Sequence, residues 1–235
     1  MPISHKIKDG AIFVADSHIN KERKDSFLLF LEKIEIEKPP QLFLMGDIFD
    51  LLVGGVKSTI QKNQEIVQKI NSLKDIEVFY FCGNHDFALE PIFKNIKIFN
   101  RQNQPQIFLY KDKKIALSHG DLWIDKKYEF YIKTIQNPFV LKSLIFLNSL
   151  MDDFLVKKIC SYNKSKNLCK NIKDFKDIAK ERVRHYKDVD LIIEGHFHQN
   201  CKFIIDDKIY INLPSFACGR KYMVFEDFSL KLKSF

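Results

Sequence analysis

Leu42-Phe43-Leu44-Met45-Gly46-Asp47-Ile48-Phe49-Asp50 runs from four apolar residues straight into a glycine and two carboxylates. An unbroken apolar run of four is too short for a helix and fits a strand buried on both faces. The same change from apolar run to polar turn recurs along the chain. Ile12-Phe13-Val14-Ala15 precedes Asp16-Ser17-His18, and Val78-Phe79-Tyr80-Phe81 precedes Gly83-Asn84-His85-Asp86. Ile115-Ala116-Leu117 precedes Ser118-His119-Gly120-Asp121, and Leu191-Ile192-Ile193 precedes Gly195-His196-Phe197-His198. Stretches with helical spacing lie between the first strands. Phe27, Leu28, Phe30, Leu31 and Ile34 share one face, with Asp25 or Ser26 as N-cap and Pro39-Pro40 as the stop. Ile66, Val67, Ile70 and Leu73 form a second stripe, and Ile107–Tyr110 with Ile115–Leu117 read as a hairpin around Lys111-Asp112-Lys113. Strands alternating with helices predict an α/β fold.

The chain has 235 residues and 46% hydrophobic content, enough for one α/β domain with a core of its own. Residues 126–187 break the alternation. They hold no clear strand. Phe139, Val140, Leu144, Leu147, Leu150, Met151, Phe154 and Leu155 fit an amphipathic helix or helical pair. A polar stretch from Ser161 to Asn171 follows, then a helix from about Asp174 to Lys187. Strands return at Phe203–Ile205, Ile209–Ile211 and Met223–Phe225. The domain reading is therefore a core of residues 1–125 and 188–235 interrupted by an insertion, 126–187.

The net charge is +8, and its placement matters more than its size. The insertion carries 15 basic and 6 acidic residues, whereas the rest of the chain carries 23 and 24. A localised basic excess points to a phosphate-bearing partner: a nucleotide, a nucleic acid or an anionic lipid surface. Cys82, Cys160, Cys169, Cys201 and Cys218 form no CxxC pair and are odd in number, so reduced thiols are expected. Met1 to Gly10 lacks the apolar stretch of a leader, and no run reaches the ~18 apolar residues of a membrane span.

The five post-strand turns carry the chemistry. In open α/β sheets, sites form beyond the carboxyl ends of strands, so the turns have a common place to meet. Five of the seven histidines (18, 85, 119, 196 and 198) lie in them, while His5 and His185 read as solvated. Asp, Asn and His are oxygen and imidazole donors suited to Mn, Zn, Fe or Co. Asp16, His18, Asp47, Asn84, His119, His196 and His198 are the candidate ligands, about what two ions need if one carboxylate, Asp47, bridges them.

The order DxH, GDxxD, GNHD, HGD, GHxH resembles the calcineurin-like metallophosphoesterase superfamily, over residues 12–121 and 190–216. The resemblance implies a four-layer αββα sandwich, here with a helical cap, and two divalent metal ions, Mn²⁺ foremost with Zn²⁺ or Fe as alternatives. It implies that Asp16, His18, Asp47 and His198 hold one ion, and that Asp47, Asn84, His119 and His196 hold the other. Asp50 and Asp86 would orient ligands or turns. His85 would be the catalytic residue, stabilising the transition state or donating a proton to the leaving group.

Within that superfamily, Tyr128, Pro138-Phe139 and the Leu/Phe-rich helix that follows resemble the UDP-2,3-diacylglucosamine diphosphatase family of lipid A synthesis. That family usually has Arg where this chain has His85. The resemblance implies hydrolysis of a UDP-linked lipid pyrophosphate to UMP and a lipid monosaccharide phosphate. It further implies a cap that holds acyl chains, and a cytoplasmic protein peripheral to the inner face of an anionic membrane. Asn84, His85, Asp125, Tyr128, Lys164, Ser165 and Lys166 are candidate substrate contacts. No nucleic acid or protein partner is expected. The alternatives are another phosphodiesterase or nuclease of the superfamily, acting on a nucleotide or nucleic acid, and an inactive scaffold.

Overall fold

The computed structural model describes residues 5–235. Residues 1–4, the start of the segment read above as lacking a leader, lie outside it. Along the chain come β1 (His5–Lys6), β2 (Ile12–Val14), α1 (Lys24–Glu37), β3 (Gln41–Leu44), β4 (Leu52–Val53), α2 (Lys57–Lys62), α3 (Gln64–Ser72) and β5 (Glu77–Phe81). Then follow β6 (Asp86–Phe87), β7 (Lys97–Phe99), β8 (Gln106–Tyr110), β9 (Lys113–Ser118), α4 (Lys126–Ile135), α5 (Pro138–Leu150), α6 (Phe154–Lys164) and α7 (Phe175–Val183). The chain ends with β10 (Leu191–Glu194), β11 (Cys201–Ile205), β12 (Lys208–Asn212), β13 (Lys221–Glu226) and β14 (Ser229–Ser234).

Two six-stranded sheets form, in the orders β14-β13-β2-β3-β5-β7 and β1-β8-β9-β10-β12-β11. Side chains alternate between the faces of a strand, and that period of two builds the layers. Phe13, Phe43, Phe79 and Phe81 of the first sheet meet Phe108, Ile115, Leu117, Leu191 and Ile193 of the second in one core. Their sequence neighbours Ile12, Val14, Leu42, Leu44 and Val78 point the other way, onto Phe27, Phe30, Leu31 and Ile34 of α1 and Ile66 and Ile70 of α3. On the far side, Ala116, Ile192 and Tyr210 receive Phe175, Ala179 and Val183 of α7. The result is the αββα sandwich. Parallel register places Phe13 beside Phe43 and Phe43 beside Phe79. Their rings stack at 4.3 and 4.8 Å, which fixes the stagger of three strands by contact.

Several local expectations are corrected. α1 begins at Lys24 with Arg23 as an uncapped N-cap, so neither Asp25 nor Ser26 caps it; Asn20 Oδ1 instead accepts from the amides of Glu22 and Arg23. The helix stops at Lys38, whose backbone is left-handed, just before the two prolines. The polar stretch from Ser161 is helical through Lys164, and the following helix ends at Val183 rather than Lys187. His5 is half-buried, its ring 5.3–5.8 Å from those of Phe79, Phe99 and Phe108, not solvated. His185 is exposed and stacks on Trp123 at 4.6 Å. Cys169 and Cys218 form a disulfide, so the expectation of five reduced thiols fails: two loops far apart in sequence bring these sulfurs together. No helix among the described residues is long and apolar enough to cross a membrane.

Candidate metal centre

β2, β3 and β5 run parallel in one sheet, and β9 and β10 run parallel in the other. Their carboxyl ends lie at one edge, where the five turns knit together. Asp16 N donates to Gly46 O at 3.1 Å, His18 N to Asp47 O at 3.0 Å, and Gly195 N to His119 O at 2.8 Å. His196 N donates to the Asp16 carboxylate at 2.9 Å, and His85 N to Asp47 Oδ1 at 2.9 Å. Asp16, His18, Asp47, His196 and His198 have φ of +52, +41, +50, +64 and +61°. A left-handed backbone costs an L-residue roughly 1–2 kcal/mol, so five such residues at one edge are held there by their surroundings. Strain of that kind gathers at functional sites. The turns also pack too closely for a side chain at two glycines. A Cβ on Gly46 would lie 2.3 Å from His119 Nδ1, and one on Gly83 would lie 2.2 Å from Asp47 Oδ1.

Donor atoms of Asp16, His18 and His198 lie within 4.8 Å of one another, and so do those of Asp47, His119 and His196. His198 Nε2 is 3.2 Å from Asp16 Oδ1, and His119 Nε2 is 3.6 Å from Asp47 Oδ2. The bonds from His196 N to the Asp16 carboxylate and from His18 N to Asp47 O join the two groups, with Asn84 beside them, next in sequence to His85, whose amide donates to Asp47 Oδ1. Backbone carbonyls fix two tautomers. His119 Nδ1 donates to Met45 O at 2.9 Å and His198 Nδ1 to Leu168 O at 2.6 Å, so each presents Nε2 to the cluster. Buried His18 Nδ1, His119 Nε2 and Asn84 Oδ1 have no hydrogen-bond partner. A buried polar atom without a partner is costly, and oxygen and imidazole atoms left bare in both donor groups fit divalent ions.

The electrostatics agree. Burial pushes His18 and His196 well below the usual histidine value, which keeps them neutral and able to ligate. Burial also opposes charge on His119 and His198, but the Asp47 and Asp16 carboxylates outweigh it and raise both. Asp47 is itself buried, which favours its neutral form, yet the charges of His119 and His85 hold it well below the carboxylate range.

A second layer holds these groups. Asp86 accepts from the amides of Asp47, Ile48 and Gly83 at 3.1, 2.7 and 2.8 Å, and from Tyr80 OH at 2.6 Å. Burial and the Asp47 charge push Asp86 up to about 7 against those donors. Asp50 acts through its backbone: its carbonyl accepts from His85 Nδ1 at 2.8 Å and from Asn163 Nδ2 at 2.9 Å. Gln104 Oε1 accepts from His119 N at 2.7 Å. Buried Arg101 binds Asp121 Oδ2 at 2.7 Å and Glu129 at 2.6 Å, tying the HGD turn to α4. Buried Arg182 pairs with Glu194, which also accepts from Tyr210 OH at 2.8 Å. Arg101, Gln104, Asn163 and Arg182 escaped the sequence reading. Only Asn163 carried a signal: it lies in the polar stretch from Ser161 to Asn171, three residues before Lys166.

Beside the cluster opens a cavity of about 490 Å³. Leu51, Phe87, Ile132, Leu144, Val156 and Ile159 line its wall, and Asn84, His85, Tyr128, Asn163 and Lys166 its polar end. Lys166 Nζ lies 3.4 Å from His85 Nε2. The Tyr128 hydroxyl is 3.5 Å from Asp121 Oδ2, and its ring centroid is 6.4 Å from that of His196. Other predicted contacts stand elsewhere. Asp125 caps α4, accepting from the amides of Lys127 and Tyr128. The Ser165 hydroxyl donates to Tyr162 O, and Lys164 is exposed; neither lines this cavity.

Residues 11–200 match the family model for calcineurin-like phosphoesterases. The chain is 28% identical to the UDP-2,3-diacylglucosamine hydrolase of Coxiella burnetii over 196 residues, covering 80% of each chain. It is 31% identical to the protein of that name from Psychromonas ingrahamii, again over 80% of each. With that of Vibrio parahaemolyticus it shares 31% over 80% of this chain and 81% of the relative.

Proposed function

The chain belongs to the calcineurin-like phosphoesterase family, and from that premise we propose that it hydrolyses the pyrophosphate of UDP-2,3-diacylglucosamine to UMP and 2,3-diacylglucosamine 1-phosphate. Membership makes it a metal-dependent phosphoesterase. The observation that carries the substrate is the apolar cavity, whose polar end opens on the Asn84-His85 turn. A soluble nucleotide has no use for a wall of Leu, Ile, Val and Phe, whereas each methylene moved there from water contributes about 0.8 kcal/mol. The names of the relatives support the same choice.

Asp16, His18, Asp47 and His198 would hold one divalent ion, and Asp47, Asn84, His119 and His196 the other; Mn²⁺ is our choice, with Zn²⁺ or Fe as alternatives. Such ions, when bound, polarise phosphoryl oxygens and lower the pKa of water. The chain's own residues do the rest. His85 donates from Nδ1 to Asp50 O and lines the cavity; with Nε2 also protonated, it would donate that N–H to the leaving phosphate. Lys166, beside it, would supply the cation that Arg brings in the resembled family. Tyr128 and Asn163 would orient the sugar end. Of the insertion 126–187, α4, α5 and α6 serve as the cap in this reading, enclosing the acyl chains and keeping water away, whereas α7 packs on the second sheet as part of the sandwich.

We further propose that the cap rests on the inner face of an anionic membrane. Phe130, Phe139, Phe146, Leu150 and Phe154 are at least half exposed on helices rich in lysine. Such a surface favours an apolar, negatively charged interface.

The test is direct. Purified protein with Mn²⁺ and the acylated UDP-sugar should release UMP in step with lipid phosphate. No UMP at high enzyme concentration, with bis-p-nitrophenyl phosphate still turned over, would reject the substrate and keep the phosphoesterase.

A further inference from the structure

Cys169 and Cys218 are bonded across a sequence separation of 49 residues. Each sits beside a segment that aims a candidate ligand. On one side, the carbonyl of Leu168 accepts from His198 Nδ1 at 2.6 Å, which turns Nε2 toward Asp16. Three residues before Cys169, Lys166 reaches His85. On the other side, Ser215 Oγ donates to Asp16 O at 2.7 Å, and Ala217 N donates to the same oxygen at 3.3 Å. The bond therefore ties the strap that aims His198 to the loop that aims Asp16, two members of one ligand group.

Without the bond the strap has little to hold it. Residues 165–171 contain no helix or strand, and all but Leu168 are exposed. Besides the Leu168 and Lys166 contacts, Gln199 anchors the strap by accepting from Ile172 N at 2.8 Å and donating to Lys170 O at 3.1 Å. The sulfurs are within reach of solvent: Cys169 is exposed and Cys218 half-exposed. Exposed disulfides are the labile, regulatory kind, because a thiolate can reach them.

We infer that the Cys169–Cys218 bond is a reducible clamp on the metal centre, opened by a dithiol reductant. One thiolate of the dithiol attacks one cysteine sulfur and forms a mixed disulfide. The other cysteine leaves as thiolate and takes a proton. The second thiol of the reductant then resolves the mixed disulfide. The dithiol ends as its own cyclic disulfide, and Cys169 and Cys218 end as thiols. The strap is then free, and His198 loses the carbonyl that aims it. Removing such an orienting partner weakens metal binding by about 10- to 100-fold. The clamp rests on the metal-centre reading alone and not on the lipid substrate.

The test uses the full chain in three forms: oxidised, reduced with dithiothreitol then desalted without air, and C169S/C218S. Alkylated after unfolding in urea, which exposes buried Cys82, the oxidised protein should show three reactive cysteines; folded and metal-free, it should resist trypsin at Lys164, Lys166 and Lys170. The reduced protein should show five, be cut in that segment, and bind Mn²⁺ about 10- to 100-fold more weakly. The double variant should match the reduced form with or without reductant. Five alkylatable cysteines in protein kept oxidising would overturn the clamp. So would equal trypsin resistance and equal Mn²⁺ affinity in the two redox states, or a reductant effect that persists in C169S/C218S. None of these readouts uses the UDP-lipid, so a failed substrate assignment and a failed clamp give different results.

Discussion

Replacing Gly83 by alanine adds one methyl group at the heart of the site. Its Cβ would lie 2.2 Å from Asp47 Oδ1, 2.7 Å from Asp47 N and 3.0 Å from Asp47 Cγ. Non-bonded contacts settle near ~3.5 Å, so the carboxylate must retreat by roughly 1 Å. That retreat does not relieve the contact with Asp47 N, so the main chain must also shift, against the bonds that pin the amides of Asp47 and Ile48 on Asp86. The retreat also breaks the 2.9 Å bond from His85 N to Asp47 Oδ1. Gly83 does not have a left-handed φ, so alanine there adds crowding without backbone strain. A misplacement of about 1 Å costs on the order of 100-fold in rate, or about 2.7 kcal/mol. The assay is bis-p-nitrophenyl phosphate turnover at saturating Mn²⁺, with Mn²⁺ titration and thermal unfolding alongside. G83A should stay folded, lose about 100-fold in kcat and bind Mn²⁺ more weakly. Asp47→Asn, which keeps the shape and removes the charge, should show the same loss. A G83A protein with parental kcat and metal affinity would refute the central place given to Asp47.

Metal uptake at neutral pH should release protons, because the raised His119 and His198 hold protons that an ion displaces; Mn²⁺ titration in weak buffer with no acidification would contradict this. The same shifts set the pH dependence of the metal-free protein. A raised histidine stabilises the fold in full below the unfolded value of 6.5, and that stability is lost as pH rises through the folded values. Metal-free Tm should therefore fall as pH rises above 6.5, and a flat profile would count against the two pairs. Shortening one acyl chain of the substrate by two carbons should cost about 1.6 kcal/mol, or about 15-fold in kcat/KM. Leu144→Trp should reduce turnover of the long-chain substrate while sparing bis-p-nitrophenyl phosphate; equal rates for short and long chains would mean that the cavity holds no lipid. Arg182→Met strands the buried Glu194 charge and should cost about 3–5 kcal/mol of stability; R182M/E194L should recover most of it, and an unchanged Tm in R182M would deny the pair its role.

The strands and their turns were legible in sequence because burial on both faces leaves unbroken apolar runs, and each run stops where the chain turns. The order of polar types after those runs pointed to the candidate ligands, which the structure brings into two donor groups. What stayed hidden depends on distance in sequence. Gln104, Arg101 and Arg182 act on turns 15, 20 and 12 residues away through single side chains, with no periodic trace. The Cys169–Cys218 pair joins two loops whose meeting follows from the whole fold. His5 looked solvated because its neighbours in sequence are polar, yet three phenylalanines of other strands surround it.

Anomalous diffraction from crystals grown with Mn²⁺ reads the ligand set directly. It should show two peaks about 3.5–4 Å apart. One should lie at bonding distance from Asp16, His18, Asp47 and His198, and the other from Asp47, Asn84, His119 and His196. A single peak, or two peaks that do not share Asp47, would contradict the account.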